Sequence, residues 1–120
     1  MTLKECYAAF SGDYEGVMGR LGSERIVQKF AIKFLKDPSY GNLVEAMEAG
    51  DEDTAFRAAH TIKGICQNLG FSGLGESSSR LTEALRHRKS EEYEELLGPV
   101  RQDYEQTASA LRALQEENGL

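Results

Sequence analysis

Residues Asp51 to Gly70 read DEDTAFRAAHTIKGICQNLG, and the phase of this stretch decides the fold. Ala55, Ala59, Ile62, Cys66 and Leu69 recur at intervals of four, three, four and three, the spacing of one face of an α-helix. Asp51, Glu52 and Asp53 put negative charge where such a helix begins, beside the positive end of its dipole, and Gly70 stops it. With Ile62 taken as inward, at about 100° per residue, His60 points roughly 160° away, Gly64 roughly 200° and Gln67 roughly 140°. All three face outward. His60 is thus predicted in mid-helix on the solvent side, with Phe56, Arg57, Lys63 and Gly64 around it as surface neighbours.

The same periodicity extends to both sides, with no sustained alternation of period two, so the chain is predicted to be all-α. Leu3, Cys6, Tyr7 and Phe10 mark a short first helix, and Asp13 caps a second that ends near Arg20. Gly22 breaks the chain. Ser23 then caps a helix with the stripe Ile26, Val27, Phe30, Ala31, Phe34 and Leu35, which Asp37-Pro38 either kinks or restarts. Leu43, Val44 and Met47 continue the stripe to Gly50. After the central helix, Leu74, Ser78, Leu81 and Leu85 define another, which ends in the basic run Arg86-His87-Arg88-Lys89 and leaves room at Ser77 and Ser78 for close approach. Tyr93, Leu97, Val100, Tyr104, Thr107, Leu111 and Leu114 keep one phase through Gly98-Pro99, which predicts one long kinked helix. Short turns between such helices make an antiparallel up-down four-helix bundle at about residues 23–117, closed at one end by short helices at about residues 2–20.

Composition bounds the function. The chain of 120 residues carries 14 Lys and Arg against 20 Asp and Glu, a formal charge of −6. A chain of this length buries roughly 65% of its unfolded surface, enough for a single domain over residues 1–120 and too little for two. The acidic balance disfavours nucleic acid as a partner. The longest apolar run is the five residues Cys6 to Phe10, far short of a membrane span, and Met1 is not followed by a basic and an apolar segment, so neither spanning nor secretion is expected. Cys6 and Cys66 lack metal-ligand spacing and lie on apolar stripes, as reduced core thiols of a cytoplasmic, monomeric protein would.

The outward patch carries the chemistry. A glycine inside a helix costs about 1 kcal/mol against alanine, and Gly64 faces away from any core that would require it. An imidazole that accepts a phosphoryl group needs access for a bulky donor, a free ring nitrogen and a cation for the added charge. Gly64, His60 and Lys63 supply them. Ala59-His60-Thr61-Ile62-Lys63-Gly64, followed by Asn68-Leu69-Gly70-Phe71, resembles the signature of histidine phosphotransfer (HPt) domains, and the resemblance extends over about residues 13–114 in helix order and turn positions.

The resemblance implies a phosphocarrier of a two-component phosphorelay. His60 would take a phosphoryl group from the aspartyl phosphate of a receiver domain and pass it to another receiver. Lys63 carries over as the cation facing the phosphoryl oxygens and Gly64 as clearance for the receiver. Gln67, nearly in line with His60 two turns on, either orients the phosphoryl group or is a solvated surface residue. Thr82 and Arg86, each one residue past a seam position of the next helix, are expected to flank His60, Arg86 as a second cation or as compensation of a helix dipole. Phe56 and Phe71 are either apolar contacts for the receiver or core, Asp53 and Arg57 are further candidate partner contacts, and His87 is expected to do nothing. Response-regulator receivers, and a hybrid histidine kinase, are the implied partners. No cofactor is expected on this chain, the Mg²⁺ of the reaction lying on the receiver.

Three other readings compete. A helical scaffold would bind a receiver without accepting phosphate. The phosphoacceptor domain of a chemotaxis-type histidine kinase usually sits in a longer chain. A hydrolase is least expected, since no nucleophile, base and orienting group stand together and only Asp53, about two turns from His60, offers an acid. No ATP turnover is expected, because no phosphate-cradling glycine loop is present.

Overall fold

Helix boundaries in the structure, a computed structural model that describes residues 1–119, fall where the sequence supplies caps. The elements are α1 (Leu3–Ala9), α2 (Tyr14–Leu21), α3 (Glu24–Lys33), α4 (Ser39–Ala49), α5 (Glu52–Leu69), α6 (Ser72–Arg86) and α7 (Tyr93–Asn118). Side-chain oxygens of Asp13, Ser23 and Asp51 accept the amide hydrogens of Gly16, Ile26 and Thr54 at 2.9, 3.2 and 3.2 Å, satisfying amides that have no partner within their own helices. At the first helix, Thr2 and Glu5 cap each other's backbone, a Thr-x-x-Glu signature legible in the sequence. Gly70 closes α5 at φ 73°, and a Cβ there would meet the Asp13 carbonyl at 2.7 Å, so both conformation and space demand glycine.

At Asp37-Pro38 the helix restarts. Phe34–Lys36 form one 3₁₀ turn, Asp37 is extended as a residue before proline must be, and its carboxylate accepts the Ser39 amide at 2.8 Å to begin α4. By contrast, α7 runs through Pro99 without a break over its 26 residues. Glu95, whose carbonyl loses its helical partner to the proline ring, lies on the exposed side with Gly98 and Pro99, where water replaces that bond.

Consecutive helices α4 to α7 pack as antiparallel neighbours, with α5 between α4 and α6 and α7 against α6. Helix α1 lies on α7, while α2 and α3 touch α5 and each other. Tyr7, Phe10, Phe34 and Phe71 close this end of the bundle, their ring centroids 5.1 to 5.8 Å apart. Phe71 is 0% exposed, which removes it from the candidate partner contacts and makes it core. On α3 the buried face is narrower than the apolar stripe. Val27 and Ala31 are buried with Phe34 beyond them, whereas Ile26 and Phe30 are 42% and 44% exposed, because the contacts of α3 with α2, α5 and α7 leave part of its apolar stripe uncovered. Both cysteines are free and buried, and burial pushes the Cys6 thiol up to about 11 and raises that of Cys66 as well.

Among the described residues, one buried side-chain polar atom is left without a partner. The Ser78 hydroxyl is buried and unpaired, while the Ser78 carbonyl accepts from Thr82. A buried hydroxyl without a hydrogen bond costs about 1 kcal/mol or more, so Ser78→Ala is expected to stabilise the protein by about 1 kcal/mol. Urea titration checks it. A loss of stability would mean that the hydroxyl has a partner.

Candidate functional site

Helix α5 is held at both ends. At its start the Arg88 guanidinium spans Glu52 and Asp53 at 2.9 and 2.8 Å, and the Tyr93 hydroxyl donates to the other oxygen of Glu52. At its finish three carbonyls that the helix cannot satisfy internally find donors in the N-terminal segment. Arg20 Nε donates to Asn68, the Tyr7 hydroxyl to Leu69 and the Asp13 amide to Gly70, at 3.2, 2.7 and 2.8 Å. Between these anchors Ala55, Ala59, Ile62, Cys66 and Leu69 are all buried, as their phase predicts, and Ala58 is buried with them. Small side chains let α6 come close, and a Cβ on Gly75 would stand 3.2 Å from that of Cys66.

The tie at the start of α5 has a pH signature. Hydrogen bonds from Tyr93 and then Arg88 hold the Glu52 carboxyl below its ordinary value. The folded state therefore binds this proton more weakly than the unfolded chain, so the contribution is full above the ordinary Glu pKa of about 4.3 and is lost as pH falls through the lower folded value. Glu52→Gln is expected to flatten the decline of stability below about pH 4.3, read as the urea midpoint against pH. Parallel acid limbs in the two proteins would remove Glu52 as a contributor.

The outer face of α5 presents His60, exposed, with neither ring nitrogen engaged in a hydrogen bond or ion pair among the described residues. Helical geometry sets Phe56 and Lys63 about 40° and 60° to one side of it and Gly64 and Arg57 about 40° and 60° to the other. The first side is the α6 side. The Phe56 ring stacks on the imidazole at 5.8 Å and 28°, and the Arg86 guanidinium of α6 lies 5.0 Å from the centre of the same ring. Arg86 Nε in turn donates to Glu83 at 3.2 Å. Glu83 is a participant that the sequence reading missed, although its three-residue spacing from Arg86 is the signal for such a pair. The other side is open, since a Cβ built on Gly64 meets nothing within 4 Å.

The remaining candidates divide. Lys63 is half-buried and Arg57 exposed, both neighbours of His60 along the helix, with Arg57 also donating to the Thr54 hydroxyl at 3.2 Å. Gln67 is exposed about 10 Å farther along the helix, lining a polar cleft with Arg20, Glu76, Ser79 and Arg80. Thr82 does not offer its hydroxyl to the imidazole. It is 0% exposed and its hydroxyl donates to the Ser78 carbonyl at 2.6 Å, because α6 buries this side against its neighbours. Asp53, expected among partner contacts, has its carboxylate committed to Arg88. Phe56, of the two roles open to it, packs on the core with one part and on His60 with another. His87 faces Glu83 at 3.7 Å.

Such a site offers an accessible nucleophilic nitrogen, cationic groups along the helix on both sides of it and open space at Gly64 for a large partner. Among the described residues, no three His, Cys, Asp or Glu side chains gather as a metal site, and no helix is long and apolar enough to cross a membrane. A family model described as Hpt domain matches residues 39–116, about two thirds of the chain, including all of α5 and α6. No curated protein and no solved structure matches it.

Proposed function

The chain belongs to the Hpt domain family, whose members carry out histidine phosphotransfer in phosphorelays and interact with receiver domains, and from that premise we propose that His60 is the phosphoacceptor. The observation that carries this reading is the exposed imidazole of His60, with Lys63 beside it along the helix, the Phe56 ring that also meets Arg86 against it, and open space at Gly64.

In the proposed step the lone pair of the neutral imidazole attacks the phosphorus of a receiver's aspartyl phosphate. The new N–P bond forms as the P–O bond breaks, and its electrons leave with the aspartate carboxylate. The proton on the other ring nitrogen makes the product cationic until solvent removes it. Transfer to a second receiver reverses these events. The transition state is loose, so alignment and charge compensation do most of what a carrier must do. Lys63 supplies positive charge for the phosphoryl oxygens and Gly64 lets the receiver close on the ring. The receiver would contribute the Mg²⁺ and its acidic ligands. Response-regulator receivers, one of them borne by a hybrid histidine kinase, are the partners of this reading, and the cytoplasm is its compartment.

The test incubates the protein with receivers carrying labelled aspartyl phosphate. Label on the carrier that is acid-labile and alkali-stable supports the reading. A complex that forms without label transfer would favour the scaffold.

A further inference from the structure

We propose that Phe56 is a positioning residue for phosphoryl transfer, its ring in contact with both the His60 imidazole and the Arg86 guanidinium. The inference rests on His60 as phosphoacceptor and adds the group that sets its orientation. Phe56 lies one turn before His60 and is half-buried, packed against the core, so its ring is a fixed surface beside two long exposed side chains. The imidazole sits at 5.8 Å with 28° between planes, and the guanidinium at 5.0 Å, within the reach of a cation–π contact.

Direction makes the contact useful. Side chains on a helix lean toward its N-terminus, and one of the three χ1 rotamers is excluded by the preceding turn. An exposed histidine is left with two. Stacking on Phe56, which lies on the opposite side of His60 from Gly64, selects the one that leans over that ring. Arg86 is fixed separately, its Nε by Glu83 and its face by the ring, which leaves the two terminal nitrogens for phosphoryl oxygens. Phe56 thus brings nucleophile and second cation into one arrangement before the receiver arrives, although its ring forms no bond in the reaction.

Phe56→Leu keeps an apolar side chain of similar reach and removes the aromatic face. Transfer into His60 is expected to fall about tenfold, the equivalent of about 1.4 kcal/mol, with thermal melting little changed. Phe56→Tyr, which retains the ring, should restore transfer. A second readout does not depend on phosphate at all. Ring current from Phe56 should displace the His60 C–H proton resonances, identified by their loss in His60→Gln, and Phe56→Leu should return them to ordinary positions. In a double-mutant cycle, Phe56→Leu and Arg86→Gln should cost less together than the sum of their separate effects, because they interrupt one arrangement.

Wild-type transfer rate in a folded Phe56→Leu, or unshifted His60 resonances in the wild type, would overturn the proposal. If Phe56→Leu fails to fold, the wild-type resonances and the Phe56→Tyr transfer rate still decide it. A wild-type protein that accepts no phosphate but shows the displaced resonances would sink the acceptor assignment and the catalytic use of the stack, leaving the stack itself in place.

Discussion

His60→Gln is expected to accept no phosphoryl group from any charged receiver while melting within about 0.5 kcal/mol of the wild type, as surface substitutions generally do. The imidazole lies outside the buried seam of α5, so its loss opens no cavity. What it removes is the nucleophile, and glutamine has no lone pair that can take its place. The one other histidine of the sequence, His87, lies at the end of α6 facing the Glu83 carboxylate at 3.7 Å, outside the face of α5 that carries Lys63 and Gly64. His87→Gln should therefore load at the wild-type rate. Scintillation counting of the separated proteins, paired with circular dichroism melts, gives both answers. Acid-labile label on folded His60→Gln protein would remove the acceptor assignment.

The second large effect is expected at Gly64, where stability and function are predicted to move in opposite directions. Nothing lies within 4 Å of a Cβ placed there, and the position is in the interior of an 18-residue helix. Gly64→Ala should therefore stabilise the isolated protein by about 0.5 to 1 kcal/mol. Gly64→Gln should fold too. Its side chain, one turn from His60, would occupy the open side and hold a receiver's phosphate out of line, and a misplacement of about 1 Å is enough for a loss on the order of 100-fold. Denaturant midpoints and single-turnover transfer rates separate the two effects. A Gly64→Gln protein that transfers normally would show that the receiver approaches from elsewhere.

The fold was legible where one residue type performs one physical task. The 4-3-4-3 seam of α5, the caps at Asp13 and Ser23, the acidic start of α5 at residues 51–53 and the stops at Gly22, Gly50 and Gly70 all appear in the structure at the expected positions. The reading failed where tertiary context sets how much of a helix is buried. Thr82 was expected beside His60 because it is one step past the seam, but α6 packs on both α5 and α7, and a threonine can give its hydroxyl to its own helix. Ile26 and Phe30 looked inward because they are apolar, on a helix with too few neighbours to cover them. The site divided in the same way. Surface neighbours along α5 followed from helical spacing, and Arg86 was placed nearby from its offset, but the contact of Phe56 with both His60 and Arg86 depends on the separation of α5 and α6. The ties from Arg88 to Glu52 and Asp53 join residues 35 and 36 positions apart, a separation for which local pattern carries no signal.

The matched family segment begins at residue 39, yet the carbonyls at the end of α5 are closed by Tyr7, Asp13 and Arg20, all of them earlier in the chain. Fraying of the site helix from that end is thereby coupled to undocking of α1 and α2, since neither can happen without breaking the same three bonds. The amides of residues 66–71 and those of the N-terminal helices should then exchange with solvent deuterium at a common rate, as one cooperative opening unit rather than as a fraying terminus and a loose arm.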